Sequence, residues 1–189
     1  PLFSHNLVQP DLELPFMPGV VWNYTGGPHG AWEREGSWSA VDFAPSGFRG
    51  ECSNSYAYVT ASAPGLVVRA EDGVVIINLD YNNNEHSGWV LLYLHIATDG
   101  RVINAGDEVN TGDRLGHPSC EGGISTGTHV HMARKYNGEW MTADGPTPFL
   151  LSGWTVHNGS AIYKGTLTKP GEGLVTASSY SAPGSQIKR

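Results

Sequence analysis

The chain has 189 residues, which is enough for one domain that buries a core without covalent staples. Its 11 basic and 18 acidic residues give a formal net charge of −7, and the basic residues are scattered, so a nucleic-acid or anionic-membrane surface is disfavoured. Charged residues make up only 15%, whereas 25 glycines and 12 prolines interrupt the chain, a composition that excludes long helices and is typical of β proteins.

The first fifty residues contain too many glycines for a helix and are predicted to be loop-like. The sequence predicts a strand over residues 56–61. A hairpin follows, with strands at 66–70 and 74–79 and a turn at Glu71, Asp72 and Gly73. The apolar stretch "GWVLLYLHIA" predicts a strand that ends at His95.

Closely spaced glycines in "INAGDEVNTGDRLGH" indicate tight turns between very short strands. The segment "THVHMARKYNGEWM" is typical of a strand, an Asn-Gly turn and a returning strand. Beyond it we expect one more hairpin and a tail rich in Ser, Pro and Gly. The predicted fold class is mostly β, a compact antiparallel β-sheet domain with long loops.

The chain has two cysteines, Cys52 and Cys120, which permit one disulfide in an oxidising compartment. Two buried reduced thiols are the alternative. The absence of a C-x-x-C pair excludes a local thiolate zinc motif. No apolar run approaches the roughly 20 residues that span a bilayer, so no membrane insertion is expected. The opening "PLFSHN" lacks a signal-peptide apolar region, as in a processed or trimmed form.

Two histidines, His129 and His131, lie one residue apart after the glycine-rich stretch "GGISTGT". Residues i and i+2 of a strand share a face, so both imidazoles can meet one metal ion or one substrate. Such a pair can also be two ordinary hydrogen-bonded histidines. Support comes from His95 at a strand end and from His29 and Asp42, because catalytic zinc takes three His or carboxylate ligands.

Four stretches, "PHGAWEREGSWSAVDF", "YLH", "GDEVNTGDRLG" and "CEGGISTGTHVHM", resemble the zinc peptidoglycan endopeptidases of the lysostaphin type, most closely the staphylolysin and beta-lytic branch. The resemblance covers roughly residues 18–145. It implies that His29, Asp42 and His131 bind one Zn²⁺ per chain. It also implies that His95 and His129 are catalytic histidines that face the metal-bound water and the substrate.

The sequence departs from the compact members of this family in one respect. Those members space the first ligand pair as HxxxD, whereas twelve residues separate His29 from Asp42 here, which resembles the staphylolysin branch. Cys120 lies where that branch has a bridged cysteine, but Cys52 is not obviously its partner. The disulfide connectivity therefore stays open.

The resemblance implies a zinc metalloendopeptidase that hydrolyses peptide bonds of cell-wall peptidoglycan, in glycine-rich cross-bridges or stem peptides, by attack of a zinc-activated water. The sequence contains no HExxH motif that would supply a glutamate base, so His129 is predicted as general base and His95 as oxyanion stabiliser. Residues 1–165 are predicted to form the zinc peptidase domain, and 166–189 a C-terminal strand and flexible tail. We expect a secreted or cell-envelope monomer whose partner is the peptidoglycan peptide.

Two alternatives belong to other classes. The first is a non-catalytic cell-wall-binding or scaffold module of the same fold, although no site residue is missing. The second is a sugar-transport phosphocarrier, against which Asp42 and the expected disulfide argue. Two tryptophans, Trp32 and Trp38, either wall a substrate groove or pin their loop. The histidines outside the predicted site are expected to be solvated or to have no partner: His5, His86, His117 and His157.

Overall fold

The computed structural model describes residues 6–32, 36–47 and 50–189. In these residues the backbone forms fifteen strands, one 3₁₀ turn at Pro183–Ser185 and no α-helix, so no helical segment there could cross a membrane. The strands are β1 (Val21–Gly30), β2 (Trp38–Pro45), β3 (Val59–Thr60), β4 (Gly65–Glu71), β5 (Val74–Asn78), β6 (Trp89–Leu94), β7 (Glu108–Val109), β8 (Arg114–Gly116), β9 (Val130–Tyr136), β10 (Glu139–Trp140), β11 (Leu150–Leu151), β12 (Trp154–Asn158), β13 (Gly165–Lys169), β14 (Gly173–Thr176) and β15 (Gln186–Lys188).

The described strands form three antiparallel sheets, which confirms the predicted fold class. The main sheet has nine strands in the order β15-β1-β2-β9-β6-β5-β4-β7, with β10 paired to β9. A second sheet has the order β11-β12-β13-β14, and β3 pairs with β8.

The prediction that the first fifty residues are loop-like is wrong. Strands β1 and β2 pair with each other, and β2 also pairs with β9, so both lie inside the main sheet. Residues 39–44 of β2 are all buried, and a strand covered on both faces shows no polar alternation in its sequence. The glycines of β1 accompany irregularities in its pairing with β2, which lie near Gly26, His29 and Gly30.

The predicted hairpins are present. Asp72 and Gly73 have φ of +47° and +77°, and Asn137 and Gly138 have φ of +48° and +84°, as a two-residue turn between twisted strands requires. The strand predicted over 56–61 is shorter, because only Val59 and Thr60 pair with β8. The strand expected to end at His95 ends at Leu94.

The C-terminal third contains more strands than the single hairpin expected there. Strands β11 to β14 form the second sheet, and their buried apolar side chains belong to the main hydrophobic core. Strand β15 pairs with β1. The predicted division after residue 165 falls within β13 and stays a prediction.

The two faces of the main sheet carry different side chains. In β9, Val130 and Met132 point into the main core, whereas His131 and Ala133 point to the opposite face. In β2, Val41 and Phe43 likewise belong to the core, which leaves Asp42 on the face of His131. This second face carries the candidate site.

Candidate metal centre

Strand pairing brings together three buried side chains from β1, β2 and β9. Asp42 of β2 lies directly opposite His131 of β9. His29 lies opposite Ala40, between two irregularities in the β1–β2 pairing, and Ala40 is on the same face of β2 as Asp42. The three residues are between 4% and 7% exposed.

The atoms of this cluster are close enough to bind one ion. His29 Nε2 lies 3.0 Å from His131 Nδ1. Asp42 Oδ1 lies 3.1 Å from His131 Nδ1 and 3.3 Å from His29 Nε2. One ligand atom from each residue lies within 4.8 Å of the others.

Main-chain carbonyls determine which ring nitrogens face the cluster. His29 Nδ1 donates to the Gly27 carbonyl at 2.8 Å, and His131 Nε2 donates to the Ala31 carbonyl at 2.8 Å. A carbonyl oxygen only accepts, so the contacted nitrogen carries the hydrogen and the other nitrogen of a neutral ring presents a lone pair.

His29 Nε2, His131 Nδ1 and Asp42 Oδ1 are therefore three acceptors that face one another. Such a set is self-repelling unless a cation or an additional proton lies among them. Two imidazole nitrogens and one carboxylate oxygen are also the donors that zinc takes in catalytic sites. The chemistry of the donor set thus fits a zinc ion.

The electrostatics of the cluster agree with this. Burial alone raises the pKa of Asp42, but the rings of His29 and His129 and hydrogen bonds from His131 and His29 hold that pKa well below 3.8. Burial lowers the pKa of His29, but the Asp42 carboxylate outweighs this effect and the pKa lies above 6.5. Asp42 therefore stays ionised and stabilises a positive charge in the cluster, whether a proton or a metal cation.

Two further histidine rings border the cluster. The rings of His95 and His129 lie 4.5 Å apart, and His129 Nε2 lies 3.6 Å from Asp42 Oδ1. His95 Nδ1 donates to the Glu121 carbonyl at 2.6 Å, and His129 Nδ1 donates to the Gly127 carbonyl at 2.7 Å. Burial lowers the pKa of His95 to about 4, and the charge of the neighbouring His129 contributes to this shift. Both rings direct Nε2 away from these carbonyls.

The prediction that His129 and His131 share a strand needs a correction. His129 lies one residue before β9 and pairs with Ser119 in an isolated bridge. Both rings nevertheless approach the same Asp42 oxygen, at 3.6 and 3.1 Å. The extended backbone therefore presents the two rings side by side, as the alternation of side chains requires.

Comparison with known proteins agrees with this geometry, although no family model matches the chain. Protease LasA of Pseudomonas aeruginosa is 27% identical over 141 residues, which are 71% of this chain and 31% of the relative. Beta-lytic metalloendopeptidase of Achromobacter lyticus is 27% identical over 152 residues, 77% of this chain and 37% of the relative. The chain spans about a third of the length of these curated relatives.

The solved structure of pseudoalterin, an M23 metalloprotease from the deep sea, is 26% identical and superposes with a TM-score of 0.71. The match covers 89% of this chain and 96% of pseudoalterin. The chain is thus similar to M23 metalloproteases in both sequence and fold.

Two residues that the sequence did not single out also approach the cluster, Gly26 and Tyr163. A Cβ atom on Gly26 would lie 2.3 Å from Asp42 Oδ2, so only glycine leaves room for the carboxylate. A strand glycine often marks a close approach, and the pair Gly26-Gly27 is the signal that could have shown it. The ring of Tyr163, between β12 and β13, lies 4.2 Å from the ring of His29. No sequence signal marks Tyr163.

Cys52 and Cys120 form a disulfide, which settles the open connectivity and rules out two reduced thiols. The bond joins residue 52, which lies before β3, to the stretch between β8 and β9 that includes the Gly/Ser/Thr motif.

The remaining sequence candidates lie apart from the cluster or outside the described residues. His117 Nδ1 donates to the Ala57 carbonyl, and His157 Nε2 contacts the Thr168 hydroxyl at 2.7 Å. His86 packs against Gly138 at the β9–β10 turn. Residue His5 lies outside the described part of the chain.

The two tryptophans between His29 and Asp42 have different surroundings. Trp32 is 51% exposed, and the Arg69 guanidinium lies 5.7 Å from its ring centre. Trp38 begins β2 and is half-buried, with its carbonyl accepting from the Ala143 N–H. A role for Trp32 in walling a substrate groove stays a prediction.

Proposed function

We propose that the chain is a zinc metalloendopeptidase that hydrolyses peptide bonds of bacterial cell-wall peptidoglycan. One observation carries the proposal. His29 Nε2, Asp42 Oδ1 and His131 Nδ1 form a buried set of acceptors, 3.0 to 3.3 Å apart. The other nitrogen of each ring carries a hydrogen, which it donates to a main-chain carbonyl. We assign the Zn²⁺ ion to these three residues.

Zinc bound by this set would lower the pKa of water towards about 7 and so provide a nucleophile near neutral pH. Carbonyl hydrogen bonds on both rings fix their tautomers, so the same nitrogens face the ion in every molecule. The Asp42 carboxylate partly neutralises the ion and leaves it a net positive charge.

His129 is proposed as the general base. Its Nδ1 hydrogen is given to the Gly127 carbonyl, so neutral His129 presents an unprotonated Nε2, 3.6 Å from Asp42 Oδ1. A general base must present its lone pair beside the proposed zinc ligands, because it takes a proton from the attacking water there. The same nitrogen can then deliver that proton to the leaving amine.

His95 is proposed as the oxyanion stabiliser. Because its Nδ1 hydrogen goes to the Glu121 carbonyl, His95 can donate from Nε2 only as an imidazolium. With its pKa near 4, the free ring is neutral, and a negative charge developing on the substrate beside it would favour the protonated form. His95 would therefore stabilise the negatively charged transition state more than the uncharged ground state.

The substrate class rests on the motif resemblance and on the small side chains beside the site. The stretch between Cys120 and His129 includes Gly122, Gly123 and Gly127, which let an extended peptide approach the backbone closely. The disulfide agrees with an oxidising location, secreted or in the cell envelope. The relatives' names, protease and metalloendopeptidase, agree with the reaction class.

The experiment measures zinc and cleavage on the same purified protein. We expect one zinc per chain by elemental analysis, and cleavage of pentaglycine or purified peptidoglycan that a chelator abolishes and zinc restores. His131→Ala should lose both metal and activity. His157→Ala is the matched control and should keep both, because its ring contacts Thr168 in the second sheet.

Two results would reject the proposal. A protein that takes up no zinc on reconstitution would contradict the metal assignment. A zinc-loaded protein that cuts neither substrate would favour the non-catalytic cell-wall-binding module.

A further inference from the structure

The two histidines proposed for proton transfer lie outside the strands. His95 follows the last residue of β6 and adopts φ of +65°, a left-handed conformation that is costly for a residue with a side chain. His129 precedes β9. Sheet hydrogen bonding therefore does not by itself fix either ring, and other contacts must hold them.

Those contacts come from one segment, residues 119–128, which we call the site loop. Ser119 N–H donates to the His95 carbonyl at 2.7 Å, and the Ser119 carbonyl accepts from His129 N–H at 3.3 Å. The Glu121 carbonyl holds the His95 ring and the Gly127 carbonyl holds the His129 ring. Both rings thus take their orientation from the site loop.

The site loop is in turn tied at both ends to residues 51–53. Cys120, between Ser119 and Glu121, is bonded to Cys52. At the other end, Thr128 N–H donates to the Glu51 carbonyl at 3.1 Å. The Thr128 hydroxyl donates to the Ser53 carbonyl at 2.6 Å and accepts from Ser53 N–H at 2.8 Å.

Residues 51–53 belong to no strand, so strand pairing does not hold them against the site loop. The Cys52–Cys120 disulfide is the covalent bond that joins them to it. The proposed zinc ligands depend on different contacts. His29, Asp42 and His131 lie on β1, β2 and β9, which pair with one another along the main sheet.

We infer that the Cys52–Cys120 disulfide is a positioning element for His95 and His129, needed for catalytic turnover and not for zinc binding. The inference rests on the proposed function. Cys52 and Cys120 act through the carbonyls of the site loop and touch neither metal nor substrate.

The test compares the wild-type protein with the double variant Cys52→Ala/Cys120→Ala. We expect the variant to keep one zinc per chain and KM within about twofold, while kcat falls about a hundredfold, the size of loss that a misplacement of about 1 Å produces. Long-range ¹H–¹⁵N NMR of the histidine rings should show that two rings lose their single Nδ1–H tautomer. The rings of the zinc ligands should be unchanged.

A control separates this effect from loss of stability. Leu167→Ala removes a fully buried side chain from β13 in the second sheet. It should lower Tm but leave kcat and the ring tautomers unchanged. If Leu167→Ala lowers kcat as much as the cysteine variant does, the inference is wrong.

Other outcomes are equally decisive. A cysteine variant that keeps its kcat, or that loses zinc together with activity, overturns the inference. If that variant does not fold, reduction of the disulfide in the folded, zinc-loaded wild-type protein by a phosphine decides. We expect kcat to fall about a hundredfold with zinc retained, and an unchanged kcat would overturn the inference. Failure of the proposed function would instead appear as a wild-type protein that does not cleave.

Discussion

At the residue scale, each histidine ring of the centre donates a hydrogen bond to a main-chain carbonyl. The rings of His29, His95 and His129 donate from Nδ1, whereas His131 donates from Nε2. Carbonyls are fixed by the backbone, so these contacts do not depend on a second ionisable group. Each ring therefore keeps one tautomer over the pH range in which it is neutral.

Gly26 gives a prediction at this scale. Gly26→Ala places a methyl group 2.3 Å from Asp42 Oδ2, so the buried carboxylate must move from its position beside His29 and His131. We expect zinc affinity to fall roughly 10- to 100-fold, as when an outer contact of a metal ligand is lost, and activity at limiting zinc to fall with it. Competition with a chromogenic chelator measures the affinity.

The control for this prediction is Gly184→Ala, where an added Cβ meets nothing within 4 Å. It should bind zinc like the wild type. Wild-type affinity in Gly26→Ala would show that Asp42 is not confined as described.

The sequence could select the five residues of the centre because their chemistry and spacing are visible in it. A histidine pair at i and i+2 and a carboxylate within a glycine-rich segment need no structure to be noticed. Gly26 and Tyr163 act through contacts with residues distant in sequence, and neither residue type suggests a metal site. The assigned roles of the five residues stay predictions until the experiments are done.

One turn is important at the scale of secondary-structure elements. The β4–β5 turn packs on the site loop, and a Cβ on Gly73 would lie 2.5 Å from Gly122 N and 2.6 Å from the Glu121 carbonyl carbon. That carbonyl holds the His95 ring. The β4–β5 turn therefore helps to fix the position of Glu121, whose carbonyl orients His95, the proposed oxyanion stabiliser.

This contact predicts a difference between two similar substitutions. Gly73→Ala and Gly138→Ala each place a side chain at positive φ, +77° and +84°, which should cost each about 1 kcal/mol of stability, and the overlap with backbone atoms of the site loop adds to this cost in Gly73→Ala. Only Gly73→Ala displaces Glu121, because Gly138 has contacts no closer than 3.6 Å. Thermal unfolding should show a larger loss of Tm in Gly73→Ala than in Gly138→Ala, and peptide cleavage should show a loss of kcat in Gly73→Ala alone. Equal kcat values would contradict the support role of the turn.

The elements were predictable where turn chemistry marks them. The Asp-Gly and Asn-Gly pairs at residues 72–73 and 137–138 identified two hairpins, because few residues tolerate positive φ at both turn positions. Strands β1 and β2 were missed because both their faces are covered, which removes the alternation of polar and apolar residues.

Zinc should contribute to the stability of the whole molecule. An ion held by the proposed ligands would join three strands that meet only in the folded chain, so zinc at about a thousandfold above its Kd would add about 4 kcal/mol, or about 8 to 16 °C in Tm at this size. Adding a chelator should therefore lower Tm by this amount. The Tm of His131→Ala should not respond to the chelator, and a wild-type Tm that ignores it would contradict the assigned ligands.

The strand order of the main sheet has a consequence for folding during synthesis on the ribosome. His29 and His131 are 102 residues apart in sequence, although their ring nitrogens touch. A chain still under synthesis can fold its local hairpins, but β2 has no β9 beside it until residue 136 has emerged. A growing chain from which residue 136 has not yet emerged therefore lacks the strand pairing that brings His131 beside Asp42.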